Sequence, residues 1–463
     1  MPGCLGVGSL ASVLPLLATL LLGLRPTLSG PEQLRDTARF RVHYTLDGVD
    51  APPHGPADAD AAATGLDEVA ARWIDVVGMR APLDDGGQGG DGRIDVYLRR
   101  LDGARGLTHA EDVGKLPSAS AWIELDPRTA LVSPTRLAAA AGHEAHHAIQ
   151  YAYSASLPAW IEEATAAWVE HADFTDPSLQ AETDAHFAAL LAHPEIPLDT
   201  VDGTHEYDEL VFVKFMVDRA RDPRVVRSLW EAMAARGDAM AGVAQAGGAP
   251  VAVLLVEFGE WNLHACAADD GAHYDPATAG CRSDVRASPP GVGVVPSIAP
   301  LPLAPYGIAW RSVPVAGCGD VVANLAALSP DLAWAIDGAG PPVLASTLPS
   351  LVAVGDGPRT FVLATDETAA PDLALELSKT APTCAPDAGA GPSPPSGGCA
   401  IGGGPAAPWW LAVALALIVL SARAWTVAAA RGGPSPPSPS AGRSTHRASC
   451  RASGAGRPGG TSA

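Results

Sequence analysis

The amino-acid sequence predicts an α+β fold, on three observations. Early stretches of alternating apolar residues read as strands around one helix. A run of amphipathic helices follows them. Beyond a proline-rich stretch the pattern changes to brief apolar runs broken by Gly, Pro, Asp and Ser, which reads as a small all-β domain.

Taken in order, residues 10–24, LASVLPLLATLLLGL, form an apolar run too short for a comfortable membrane span. The small residues of RPTLSG follow it, so a signal peptide is expected over 1–29, and with it export. ARFRVHYTLDG (38–48) alternates through Phe40, Val42 and Tyr44 and ends in a turn. GLDEVAARWIDVVG (65–78) puts Leu66, Val69, Trp73 and Val77 on one helical face. DDGGQGGDG (84–92) is a loop, and RIDVYLRRL (93–101) and ASAWIELD (119–126) are strands. SPTRLAAAAGHEAHHAIQYAY (133–153) opens with Ser133 as N-cap and Pro134 at the first helical position. PAWIEEATAAWVEHA (158–172) repeats that pattern, and further helices are expected over 206–220, 222–235 and 249–266. The first folded domain is thus expected over 30–284. Residues 285–305 read as a proline-rich linker and 306–384 as the β domain. A Gly/Pro/Ser linker (385–404) leads to AAPWWLAVALALIVLSA, uncharged and flanked by Trp409, Trp410 and Arg423. That is a transmembrane helix within 405–423, followed by a tail, 424–463, of disordered composition.

The chain has 463 residues, with 51 acidic and 30 basic side chains and a formal charge of −21. No basic stripe interrupts this charge, so nucleic acid is excluded as a partner and anionic lipid surfaces repel the chain. Export implies an oxidising compartment for its cysteines. Proximity suggests Cys266 with Cys281 and Cys318 with Cys384, although spacing does not fix connectivity.

The chemistry concentrates in His143-Glu144-Ala145-His146-His147. A helix brings residues four apart onto one face, so His143 and His147 can point both imidazoles at one ion. Glu144 projects beside them, where it can take a proton from an activated water. A catalytic zinc site uses three protein ligands and leaves a position open. WIEEATAAW (160–168) offers Glu162 and Glu163 on the next helix as the third. His146 points off that face, and His171 either approaches the site or lies at the surface. Tyr207 and His205 are candidates to donate to an oxyanion, each with a plain packing or surface role as the other reading. ASAWIELD is either an edge strand that holds an extended substrate or an ordinary sheet strand. The Asp-rich loop at 84–92 lacks EF-hand spacing, so a turn is favoured there over a Ca2+ site.

His143-Glu144-x-x-His147 followed by Trp160-x-Glu162-Glu163-Ala164-x-Ala166 resembles the gluzincin metallopeptidases, whose second motif often reads W-x-N-E-G-x-A. The resemblance implies a small sheet plus a helical subdomain, with one Zn2+ per chain held by His143, His147 and Glu163 and with Glu144 as general base. YDELVFVKFM (207–216) is similar to the helix that carries a transition-state tyrosine in the aminopeptidase branch, which nominates Tyr207. No G-x-M-E-N strand is present, which favours an endopeptidase. No Asp follows Glu163 by four residues, where Ala167 stands, so a histidine's outer partner is expected elsewhere. SGGCAIGGGPAAPWWLAVALALIVLSAR resembles the myxobacterial C-terminal sorting signal, which implies cleavage near Cys399 and display at the cell surface.

The expected function is an exported, surface-associated zinc peptidase acting on polypeptides. Its rivals are an inactive peptide-binding surface protein or an adhesin on the same scaffold. His143, Glu144, His147 and Glu163 together argue against the first, since a binding module has no use for Glu144; the second would hold a structural zinc, normally closed by four protein ligands, and no fourth is evident.

Overall fold

The computed structural model describes residues 25–111, 117–292, 297–313, 321–326, 332–338, 341–344, 351–352, 359–366 and 372–379. The apolar run 10–24, Cys318, Cys384, Cys399, the helix expected within 405–423 and the tail lie outside the described residues. Among the described residues no single helix is long and apolar enough to cross a membrane.

The fold is α+β. Its first sheet is built from β1 (Glu32–Asp36), β2 (Phe40–Thr45), β3 (Ile94–Leu98), β4 (Gly106–Ala110) and β5 (Ala121–Leu125), in the order β1-β2-β3-β5-β4. β2, β3 and β5 run parallel, in register Val42 to Val96 and Val96 to Ile123, while β1 and β4 are antiparallel edges. Every residue of β3 and β5 is buried, as expected for central parallel strands covered on both faces. ASAWIELD is therefore the ordinary interior strand, and β1 and β4 are the edges among the described residues.

Between β2 and β3 runs α1 (Pro56–Val69), continuing into a π-helical stretch, Ala70–Val76. After the sheet come α2 (Pro134–Tyr151), α3 (Ala159–Asp173), α4 (Pro177–Ala192), α5 (His205–Asp208), α6 (Leu210–Ala220), α7 (Arg224–Arg236), α8 (Ala239–Gly247) and α9 (Val251–Leu263). The helix expected over 206–220 is broken at Glu209, whose ψ of −2° interrupts the helical backbone. α2 is buried from Arg136 to Tyr151, and its alanines let neighbouring elements approach closely. At its crossing with α1, a Cβ on Gly65 would lie 2.0 Å from the Ala138 carbonyl oxygen, so only glycine fits.

The expected β domain forms two antiparallel sheets. One is ordered β10 (Val343–Leu344), β9 (Leu332–Ile336), β12 (Arg359–Thr365), β7 (Ile308–Val313). The other is ordered β11 (Leu351–Val352), β8 (Val321–Ala326), β13 (Ala374–Lys379), β6 (Ser297–Pro300). β6 corrects the linker expected over 285–305, because part of that segment is an edge strand. Alternation along β12 gives its sheet two apolar faces. Phe361 and Leu363 meet Leu373 and Leu375 in a small separate core. Val362 and Ala364 join the main core with the helices.

Residues 25–29, expected in the leader, are part of this folded body. Leu28 is buried with Tyr97 and Trp122. The Arg25 guanidinium lies 2.7 Å from Asp85, 3.3 Å from Asp95 and 3.4 Å from Glu111. A leader boundary at 29 would cut through these contacts. The remaining aspartates of the 84–92 loop are also engaged: Asp84 accepts from the Gly86 amide at 2.7 Å, and Asp91 pairs with Arg41 and Arg93.

Candidate metal centre

α2 carries His143 and His147 one turn apart, and α3 crosses it to bring in Glu163. Ser133 starts α2 cleanly, its hydroxyl accepting the Arg136 amide at 3.0 Å. The two Nε2 atoms lie 3.1 Å apart, and Glu163 Oε2 is 3.3 Å from His143 and 3.5 Å from His147. Ligands with bonds of about 2.0–2.1 Å to a tetrahedral divalent ion stand about 3.3–3.4 Å from one another, so the triangle fits such an ion. Glu163 Oε2 is buried and accepts no well-formed hydrogen bond, as suits an atom reserved for a ligand. The three residues form a buried group able to hold a metal ion. Burial raises the Glu163 carboxyl, but the His147 and His143 imidazoles outweigh it and hold it at about 2.

The outer nitrogens of both histidines are engaged. His147 Nδ1 lies 2.7 Å from Gln150 Oε1, and Gln150 Nε2 donates to the Glu162 carbonyl at 2.9 Å and to Thr165 Oγ1 at 2.8 Å. His143 Nδ1 lies 3.2 Å from Glu170 Oε2, and Arg136 donates to the other Glu170 oxygen at 2.6 Å. These contacts fix which nitrogen faces the ion and add to the basicity of the ring. Burial opposes ionisation of Glu170, yet Arg105 and His143 hold it at about 2.

Glu144 is 1% exposed. Thr108 Oγ1, on β4, lies 2.7 Å from its Oε2 and 3.0 Å from its carbonyl oxygen. A Cβ on Gly106 would sit 2.5 Å from Glu144 Oε1, so the strand approaches only through glycine. The edge strand and the carboxylate are thus in direct contact.

The Tyr207 ring lies beside that of His143, with centroids 6.4 Å apart and planes 28° from parallel. His205 pairs with Glu209. Its Nε2 lies 2.8 Å from Glu209 Oε1, and it lines a pocket with Leu198, Leu255, Phe258 and Ile308. Glu162 is buried, and burial pushes its carboxyl up to about 8. His146 is fully buried edge-on to Trp73, and burial holds it well below the usual histidine value. His171 is bound at Nδ1 to Thr183 Oγ1, 2.8 Å away.

Sequence reasoning missed Gly106, Thr108, Gln150 and Glu170. Spacing could have flagged two of them: Gln150 is one turn past His147, and Glu170 is two turns past Glu163 on the same face. Nothing in GLTHA marks β4 as a strand, since it lacks apolar alternation. Compared with protein-family models, curated proteins and solved structures, the chain matches none.

Proposed function

We propose that the chain is an exported, cell-surface zinc endopeptidase of gluzincin type. The observation that supports it most is the buried His143–His147–Glu163 triangle with a carboxylate, Glu144, on the same helix. Two imidazoles and one carboxylate are a usual catalytic zinc set. Zinc, when bound, polarises a carbonyl and lowers the pKa of water. Glu144 takes a proton from the attacking water and passes it to the leaving amine. Thr108 orients the Glu144 carboxylate, and Tyr207 donates its hydroxyl to the developing oxyanion. An extended polypeptide would be held alongside Glu144, where β4 passes. Anchoring by the 405–423 helix and sorting at Cys399 belong to the same proposal.

The test compares the wild-type protein with Glu144→Gln and His143→Ala on an unstructured protein substrate. Glu144→Gln is expected to keep its zinc and lose about 10²–10⁴-fold in kcat. His143→Ala is expected to lose both that zinc and activity. Undiminished cleavage by Glu144→Gln would sink the mechanism. Zinc binding without cleavage by the wild type would favour the inactive peptide-binding reading.

A further inference from the structure

A second histidine cluster lies outside this centre. His264 follows the last turn of α9, and the Cys266–Cys281 disulfide closes a loop that carries Asp270 and His273. His264 Nδ1 is 3.5 Å from Asp270 Oδ2, and His273 Nδ1 is 2.9 and 3.0 Å from the two Asp270 oxygens. The imidazoles stack face to face, 4.5 Å apart and within 3° of parallel. Trp261 packs edge-on against His273. The opposite nitrogen of His264, Nε2, lies 2.8 Å from Oδ1 of Asp337, in the turn after β9.

That last contact decides the chemistry. A neutral imidazole has one N–H to give, and Asp337 takes it. The lone pair left on His264 Nδ1 then faces the acceptor oxygens of Asp270, an arrangement that needs a cation between them or a second proton on the ring. The carboxylate on the outer nitrogen is also the partner that metal-binding histidines ordinarily have.

We propose that His264, Asp270 and His273 form a second divalent-metal site, one that takes zinc when the partly exposed His273 ring turns out of its stack on His264, and that pins the disulfide loop to the end of α9. The donors are borderline nitrogen and oxygen, which suits zinc and not calcium. The three side chains are 25–37% exposed, so water could complete the coordination. Asp337 positions His264 and links the site to the β region. The proposal does not depend on the peptidase reading.

The test uses the full chain, stripped of metal with a chelator and dialysed to equilibrium against low-micromolar free Zn2+ at neutral pH. Bound zinc is counted by mass spectrometry. Wild type is expected to bind two equivalents, His264→Ala and His273→Ala one each, and the His143→Ala/His273→Ala double variant none. His264→Gln, which keeps an amide donor for Asp337, is expected to lose the same equivalent, and the metal-free melting temperatures should match the wild type. Zinc retained by His143→Ala and lost on adding His273→Ala supports this site even if the first centre binds none. The proposal is overturned if no zinc survives in His143→Ala, or if the second equivalent persists in both His264→Ala and His273→Ala. In that case Asp270 is simply bridged by two protonated imidazoles.

Discussion

Gln150 and Glu170 each face the outer nitrogen of one histidine, at 2.7 and 3.2 Å. Gln150→Ala and Glu170→Gln are expected to weaken zinc binding at the first centre about 10–100-fold, measured by competition with a chromophoric chelator. Unchanged affinity in both would make these contacts ornamental. Burial also isolates His171, whose pKa is lowered to about 3 against 6.5 for the free group. The unfolded chain therefore binds a proton there that the folded chain refuses. Stability at this position is fully present above about pH 6.5 and falls as pH drops from there toward 3, by up to about 1.4 kcal/mol per pH unit. His171→Gln removes that proton, so its melting temperature should decline less than the wild type's between neutral pH and pH 4.5. Parallel decline would refute the assignment. At this scale the grouping of His143 with His147 was legible, because helical spacing alone puts them on one face; the choice of Glu163 over Glu162 rested on the resemblance. Thr108 and Gly106 were not legible, because they meet Glu144 across a tertiary contact that leaves no periodic trace.

Elements were legible in proportion to how much apolar surface they bury with a regular period. α2 and α3 announced themselves through Pro134, Pro158 and their apolar faces. β1 is exposed at every residue and β4 is half-covered, so neither shows alternation. α8 buries Ala239, Gly242, Val243 and Gly247, small residues that carry little hydrophobic signal. α4 was missed as well, with buried Leu179, Thr183, Phe187, Leu190 and Leu191 spread among polar neighbours. The crossing of α1 and α2 yields the prediction that belongs here. Gly65→Ala must push the two helices apart at the Ala138 carbonyl, and is expected to cost about 1–3 kcal/mol, read as a fall in the denaturation midpoint. Gly→Ala in an exposed helix normally stabilises, so a rise would mean that the helices yield freely there.

The β region extends the core of the whole molecule. Ile308, Trp310 and Val362 lie against Gly259 of α9, where a Cβ would come within 2.6 Å of Val362. Sequence pattern separated this region from the helices, because the proline-rich stretch between them looks like a boundary whether or not the two sides pack. A chain ending at residue 284 should expose the α9 face, bind a hydrophobic dye and melt lower than the intact protein in scanning calorimetry. An unchanged melting temperature would show that the sheets contribute nothing to the helical core.

Glu144 owes its setting to Thr108, and that pairing has a consequence for the order in which the chain acquires its parts. The ligands and their outer partners all lie between residues 143 and 170, within one helical hairpin that local contacts can close early. Thr108 arrives only with β4, whose sheet rests on the parallel pairing of β2 with β3 across the long α1 crossover, a slower kind of pairing. On the proposed reading, a nascent molecule captures its ion before its proton acceptor is locked in place. On the same reading, that delay would spare the still-unfolded segments from self-digestion.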